Sequence, residues 1–150
     1  MNLKTEYNER PWDTENQFYA GTLFRTEFWT VEVSYKQHTP GSFIIFLNRF
    51  VSRFKDLFPN EVQELPEVIG VVETILAKHP QLQPELCNYL QLGNKVPHFH
   101  IHGIPRYSKP VHFIHKEWID PTFGSPPVWS QSNISHQEVS YIRAELLKYM

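Results

Sequence analysis

The stretch VPHFHIHGIPRY, residues 96–107, places a histidine at every second position, at His98, His100 and His102. Successive side chains of a β-strand point to opposite faces, so the three imidazoles would share one face of a strand. The segment ELCNYLQL before it is typical of another strand, and GNKVP between the two predicts a tight turn. These residues therefore predict two adjacent antiparallel strands, the second carrying the histidines.

Composition limits the class of protein. With 150 residues, 41% of them hydrophobic and 20% charged, the chain 1–150 fits a single domain with a moderate core. The net charge of -2 offers no general field for bulk nucleic acid or for an anionic membrane. One cysteine, Cys87, excludes an internal disulfide, and no apolar run is long enough to cross a bilayer. We therefore expect a cytoplasmic protein with no membrane partner.

The first half of the chain alternates between strand and turn signals after a polar N-terminal arm, residues 1–18. FYAGTLF and EFWTVEVSY are rich in β-branched and aromatic residues, and the alternation in the latter predicts that Trp29, Val31, Val33 and Tyr35 face the core. FIIFL, after a Pro-Gly turn, predicts a buried strand.

Helical signals follow. The apolar spacing changes to a helical period between about residues 60 and 78, where Pro66 would either start or kink the helix. Residues 105–133 are rich in proline and show no sustained periodicity, which predicts an irregular segment. A last helix over 135–150 begins with a capping box made by Ser135 and Glu138. The fold class is α+β.

A metal site is one explanation for the alternating histidines. Along a straight strand the Cα atoms of His98 and His102 lie roughly 13 Å apart, whereas zinc needs each ring nitrogen within about 2.1 Å. One strand cannot wrap three rings around one ion, although two of them could be completed by a histidine elsewhere: His112, His115 or His136. A solvated polar face of an edge strand is the simplest alternative. No metal is expected.

Phosphoryl transfer is the other explanation, because one neutral imidazole can attack phosphorus while neighbouring rings steady the phosphoryl oxygens. HFHIHGI, residues 98–104, resembles the His-φ-His-φ-His-φ-φ signature of the histidine triad (HIT) family, with Gly103 at one apolar position. The surrounding CNYLQLGNKVPHFHIHGIPRY is similar to the diadenosine tetraphosphate hydrolase-like branch of that family. HTPGSFIIFLNRFVSRFKDL and PPVWS resemble further segments of the same branch.

The resemblance implies a HIT-like fold: an antiparallel sheet of about five strands with a long helix and a C-terminal helix, usually as a homodimer. It also implies a metal-independent, cofactor-free hydrolase or transferase acting at the α-phosphate of dinucleoside polyphosphates or nucleoside phosphoramidates. In that scheme His100 is the nucleophile that forms a nucleotidyl-histidine intermediate, and His102 binds the phosphoryl oxygens. His98 holds the tautomer of His100 through its backbone carbonyl and ring.

Residues for substrate binding also follow from the resemblance. Asn88 matches an asparagine that touches the phosphate region, and Asn94 and Lys95 lie in the turn where polar groups surround the phosphoryl group. Lys95 adds a charge suited to a longer polyphosphate. Arg106 flanks the motif on its other side, where it is either a second cation of the site or a surface residue.

The chain departs from the family pattern at three places. Ser42 stands where many members have the histidine of Pro-Gly-His, and Phe50 stands where a basic-basic-His segment has its histidine. The acidic residue expected on the ribose hydroxyls falls at Ser34, and Glu32 on the same face is the substitute. These departures favour the alternative that the protein binds nucleotides with little or no turnover.

Overall fold

The computed structural model describes residues 8–9 and 18–150, with side chains from residue 20 onward. The described residues form nine strands, a single 3-10 turn (Phe54–Asp56) and two α-helices. The strands are β1 (Asn8–Glu9), β2 (Phe18–Tyr19), β3 (Thr22–Arg25), β4 (Trp29–Val33), β5 (Phe43–Leu47), β6 (Leu86–Leu90), β7 (His100–Arg106), β8 (Val111–Phe113) and β9 (Lys116–Trp118). The helices are α1 (Pro59–Lys78) and α2 (His136–Leu147).

The central sheet has five strands in the order β3-β4-β5-β7-β6, and every neighbouring pair is antiparallel. The α+β class and the sheet predicted for it are confirmed. Its register places Glu32, Ile44, His102 and Leu90 side by side across four strands. His100 and His102 therefore lie on β7, the strand next to the β6 edge of the sheet.

One face of the sheet forms the main core. Trp29, Val31 and Val33 are fully buried on it, as their alternation predicts, whereas Tyr35 is half-buried and packs against the same core. Every residue of β5 is buried. Helix α1 packs against this face with its apolar stripe. The indole of Trp29 donates its Nε1–H to the carbonyl of Glu61 at 2.9 Å, which fixes the start of the helix against the sheet.

Both helices begin at defined caps. In α1 the carboxylate of Glu61 accepts the N–H of Phe58 at 2.7 Å, and Pro66 lies inside the helix rather than at its start. In α2 the predicted capping box is confirmed: Ser135 Oγ accepts the N–H of Glu138, and the Glu138 carboxylate accepts the N–H of Ser135. These bonds satisfy N–H groups that have no partner within the helix.

Two predicted boundaries are wrong. Strand β7 begins at His100, so His98 precedes it, and β7 continues through Pro105 to Arg106. The segment 105–133 is not irregular throughout, because β8 and β9 form a hairpin within it. Most of the predicted N-terminal arm lies outside the described residues. Its described part, residues 8–9, pairs with residues 18–19. Neither described helix combines the length and the hydropathy that crossing a membrane requires.

Candidate active site

His98 is a buried structural residue at the entrance to β7. Its Nε2–H donates to the carbonyl of Leu47 at 2.6 Å, and its Nδ1 accepts the N–H of Val51 at 3.3 Å. The same segment is held by backbone bonds, since the N–H of Phe99 donates to the carbonyl of Val51 at 2.6 Å. With only 1% of its surface exposed, His98 fixes the backbone from which the next histidine projects.

His100 is oriented by that backbone. Its Nδ1 lies 2.7 Å from the carbonyl oxygen of His98. A carbonyl can only accept, so Nδ1 carries the proton and Nε2 of the neutral ring holds the lone pair. The side chain is half-buried and lines a cavity of about 190 Å³. A neutral imidazole in this state can act as a nucleophile or a base toward a group in the cavity.

His102 stands next to His100, with 4.9 Å between the ring centroids. Trp129 lies edge-on to it at 4.8 Å, and the ring of His38 lies at 6.5 Å. The pKa of His102 is lowered to about 3, mainly by burial and to a smaller extent by repulsion from His100, His38 and Lys36. His102 is therefore neutral at pH 7 and can present one N–H and one lone pair to a ligand.

The cavity also brings together residues from three separate segments. The turn after β6 contributes Asn94 and Lys95, both exposed. The other lining residues are Tyr35, Lys36, Leu92, Gly93, Val96 and Trp129. Two ammonium groups and an aromatic and apolar wall thus flank the two histidines, an arrangement complementary to an anionic ligand that carries an apolar part.

Three predicted substrate-binding residues lie outside the lining of this cavity. Asn88 pairs with Ile104 further along the sheet, and its Oδ1 accepts from Arg106 at 2.6 Å. Ser42 is buried in the turn before β5, where its hydroxyl donates to the carbonyl of Thr39 at 2.7 Å. Glu32 is 1% exposed two strands away from His102, so it is a buried carboxylate rather than a solvated strand residue.

Arg106 and Phe50, which the sequence also singled out, have structural contacts. Arg106 does not face the cavity, because its guanidinium is buried and paired with Asp120 at 2.6 Å. Phe50 is 61% exposed and stacks on His98 at a centroid distance of 5.5 Å. The position of the missing basic-basic-His histidine is thus filled by a ring that covers a buried member of the triad.

Lys36 lines the cavity and His38 lies beside it, and the sequence identifies neither as a site residue. No local pattern marks them, because their contacts join residues about ninety positions apart, such as the bond between His38 and Ser130. The only signals were the HTPGS and PPVWS segments, which contain His38 and Trp129. Among the described residues no group of three or more histidine, cysteine, aspartate or glutamate side chains is placed to hold a metal ion. The histidines proposed to complete such a site, His112, His115 and His136, do not line the cavity.

Comparison with known proteins relates this chain to a family. The HIT domain matches residues 17–109, which include the whole triad. The chain is 30% identical over 87 residues to the asymmetrical bis(5'-nucleosyl)-tetraphosphatase of Schizosaccharomyces pombe, covering 56% of this chain and 48% of that protein. The chain thus aligns with about half the length of this curated relative.

Solved structures share the fold. A histidine triad protein from Sinorhizobium meliloti superposes with a TM-score of 0.63 at 20% identity, over 86% of this chain and 88% of that one. Diadenosine triphosphate hydrolase from Plasmodium falciparum, solved with cyclomarin A, gives 0.60 at 15% identity, over 86% of this chain and 75% of that one. On the domain match over most of its length, this chain belongs to the HIT family.

Proposed function

We propose that the protein is a nucleotide hydrolase or transferase that acts at the α-phosphate of dinucleoside polyphosphates or nucleoside phosphoramidates. Membership of the HIT family supports the reaction class. The similarity to a bis(5'-nucleosyl)-tetraphosphatase supports the dinucleoside polyphosphate as substrate.

One observation carries the proposal: the bond from Nδ1 of His100 to the carbonyl of His98. This bond selects the tautomer in which Nε2 has the lone pair, and it holds the ring in one orientation. In the neutral ring Nε2 is thus oriented with its lone pair free to attack, and it needs no separate base, which removes one proton transfer from the first step.

The proposed reaction has two displacements. Nε2 of His100 attacks the α-phosphorus, a P–N bond forms, and the P–O or P–N bond to the leaving group breaks, so that the leaving group departs with the bonding electron pair. Water then attacks the same phosphorus and gives up one proton to the solvent, the electron pair of the P–N bond returns to Nε2 of His100, and the nucleoside monophosphate is released. Where the leaving group is an amine, it takes up one proton from water as it departs. The scheme uses no change of oxidation state and no cofactor.

The surrounding groups have roles that suit this reaction. Neutral His102 would donate one N–H to a phosphoryl oxygen, and Lys36 and Lys95 would balance the charge of the phosphate chain. Because those two ammonium groups share a cavity with Trp129 and Tyr35, we propose that a nucleoside polyphosphate suits the site better than a small inorganic group.

Nucleotide binding with little turnover is the second candidate. Two contacts favour it: the hydroxyl of Ser42 is committed to Thr39, and Phe50 is stacked on His98, so neither position offers a proton to a leaving group.

We also propose that the protein is a homodimer, since β6 is an edge strand of the described sheet and Leu86 on it is 49% exposed.

Turnover by purified, chelator-treated protein tests the proposal. We expect AMP to be released from diadenosine tetraphosphate or from adenosine phosphoramidate, and the His100→Ala variant to release it slower by about 10²-fold or more. Nucleotide affinity measured by calorimetry should survive in that variant. Binding without turnover in the wild-type protein would favour the second candidate. Turnover that disappears with the chelator and returns with zinc would contradict the metal-independent scheme.

A further inference from the structure

His38 contacts the candidate site although it does not line the cavity. Its ring lies against Trp129, with 3.9 Å between centroids and 33° between the planes, and its Nδ1 accepts the N–H of Ser130 at 2.8 Å. Two independent contacts therefore join the turn before β5 to the segment that carries Trp129. The segment is more than ninety residues away in sequence and has no strand or helix of its own there.

The contact chain ends on a triad histidine. Trp129, whose ring packs against His38, lies 4.8 Å from the ring of His102 and forms part of the cavity wall. His38 itself approaches His102 to 6.5 Å. His102 is consequently covered on one side by an aromatic residue whose position depends on contacts outside the triad.

The hydrogen bond requires a neutral His38. Only an unprotonated Nδ1 can accept from Ser130, so the proton of the neutral ring is on Nε2. That Nε2 is buried and has no hydrogen-bond partner among the described residues. Burial, with a smaller contribution from Lys36, lowers the pKa of His38 to about 4, so the accepting form predominates at pH 7.

We propose that His38 is a positioning residue of the site: it anchors Trp129 and Ser130 against His102 and thereby keeps water from the side of that ring. The catalytic consequence of this inference rests on the proposed function. The chain lacks a histidine at Ser42, four residues later in the same turn, and His38 supplies a fourth imidazole beside the triad from a different position.

The protonation of His102 gives a direct readout. The groups that act on this ring are His100 on its own strand, His38 and Lys36 from the turn region, and the uncharged Trp129. If His38 and Trp129 exclude water, loosening them solvates His102 and makes its charged form less unfavourable. Its protonation midpoint should then rise, which a loss of activity through general instability would not cause.

The experiment is an NMR titration of the histidine rings between pH 4 and 8 in the full chain, with four variants. In wild-type protein His102 should remain neutral down to pH 4. In His38→Ala its midpoint should rise by roughly one pH unit or more and enter the window. In His38→Asn, whose side-chain oxygen can still accept from Ser130, the rise should be smaller. Trp129→Ala should reproduce His38→Ala, and His112→Ala, an exposed histidine of the hairpin, should leave His102 unchanged.

Kinetics complete the test. We expect His38→Ala to lower kcat by roughly 10- to 100-fold, as a displaced site residue does, and His38→Asn to recover part of the loss. A folded His38→Ala protein whose His102 titrates as in wild type would overturn the inference, as would equal effects of alanine and asparagine. If His38→Ala does not fold, Trp129→Ala decides by the same midpoint. Because the titration needs no turnover, a wild-type protein without activity would contradict the proposed function and leave this test intact.

Discussion

Arg106 and Asp120 form a buried ion pair, with 2.6 Å between Nε and Oδ2 and both side chains 2% exposed. The guanidinium also donates to Asn88 and to the carbonyls of Thr122 and Ser125. A single cation at the end of β7 thus ties the edge strand of the sheet to the segment that leads toward Trp129.

Breaking this pair should destabilise the protein strongly. Removing one partner leaves the other charge buried without compensation, which typically costs about 3 to 5 kcal/mol. Asp120→Asn should therefore lower the free energy of unfolding, measured by urea denaturation, by that amount. The matched control is Asp56→Asn, which breaks the exposed pair with Lys55 and should change little. Similar losses in the two variants would contradict the buried role of Asp120.

His98 and His100 should separate stability from turnover. His98→Ala leaves the carbonyl of Leu47 and the N–H of Val51 without their buried partner, so we expect it to lose about 2 to 4 kcal/mol of stability. The half-buried His100 makes one side-chain bond to a carbonyl, and His100→Ala should unfold close to the wild type while turnover falls by about 10² or more. Denaturation and single-turnover assays on both variants check this. A His98→Ala protein as stable as wild type would contradict the structural assignment.

The sequence predicted the parts of the fold that local patterns determine. The alternation around Trp29, the apolar run of β5 and the capping box of α2 each correspond to an observed element. The hairpin of β8 and β9 was missed because its turn is made by Ile114 and His115 at φ of 51° and 58°. Turns of this kind normally carry Asn or Gly, so these residues give no turn signal.

The site was predicted only in part for a related reason. The spacing of the histidines is local, and their shared strand follows from it. The positions of His38 and Trp129 depend on how distant segments pack, and the burial of Glu32 likewise depends on what covers that face of the sheet. In the sequence Arg106 is a cation next to the triad, yet its guanidinium pairs with Asp120, fourteen residues later.

Gly103 should not tolerate a side chain. A Cβ at this position would lie 2.2 Å from ring atoms of Phe43, its cross-strand neighbour, so Gly103→Ala should destabilise by about 1 to 3 kcal/mol. A double-mutant cycle with Phe43→Leu tests the cause, because the alanine should cost less where the ring is gone. Gly70→Ala in α1 is the control: its Cβ would meet no atom within 4 Å, and it should stabilise by roughly 0.5 to 1 kcal/mol.

The free energy of unfolding should fall as pH drops below 6.5, at pH values above those at which the carboxylates titrate. Burial lowers the pKa of His38 to about 4 and that of His102 to about 3, below the unfolded value of 6.5. The unfolded chain therefore binds more protons than the folded one below pH 6.5, and the free energy of unfolding decreases as pH drops from 6.5 toward 4. Urea denaturation at several pH values should show this decline, with a smaller slope in His38→Asn. His112→Ala, which removes an exposed histidine, should keep the wild-type slope, and a flat wild-type profile would contradict the prediction.

Lys95 should matter more as the phosphate chain lengthens. Its ammonium lies in the turn that lines the cavity beside His100, where the extra phosphates of a polyphosphate would extend. Lys95→Ala should therefore lower kcat/KM for diadenosine tetraphosphate by about 5-fold and that for a simple AMP ester by less.

Salt separates this charge effect from a change in the turn. Lys95 is exposed, so its attraction to phosphate should be screened, and the difference between wild type and Lys95→Ala should shrink between 0.1 M and 1 M salt, as the Debye length falls from about 10 Å to about 3 Å. Lys109→Ala, an exposed lysine outside this cavity, should leave both substrates unaffected. An equal loss on both substrates that persists at high salt would mean that Lys95 shapes the turn and that its charge does not select the polyphosphate.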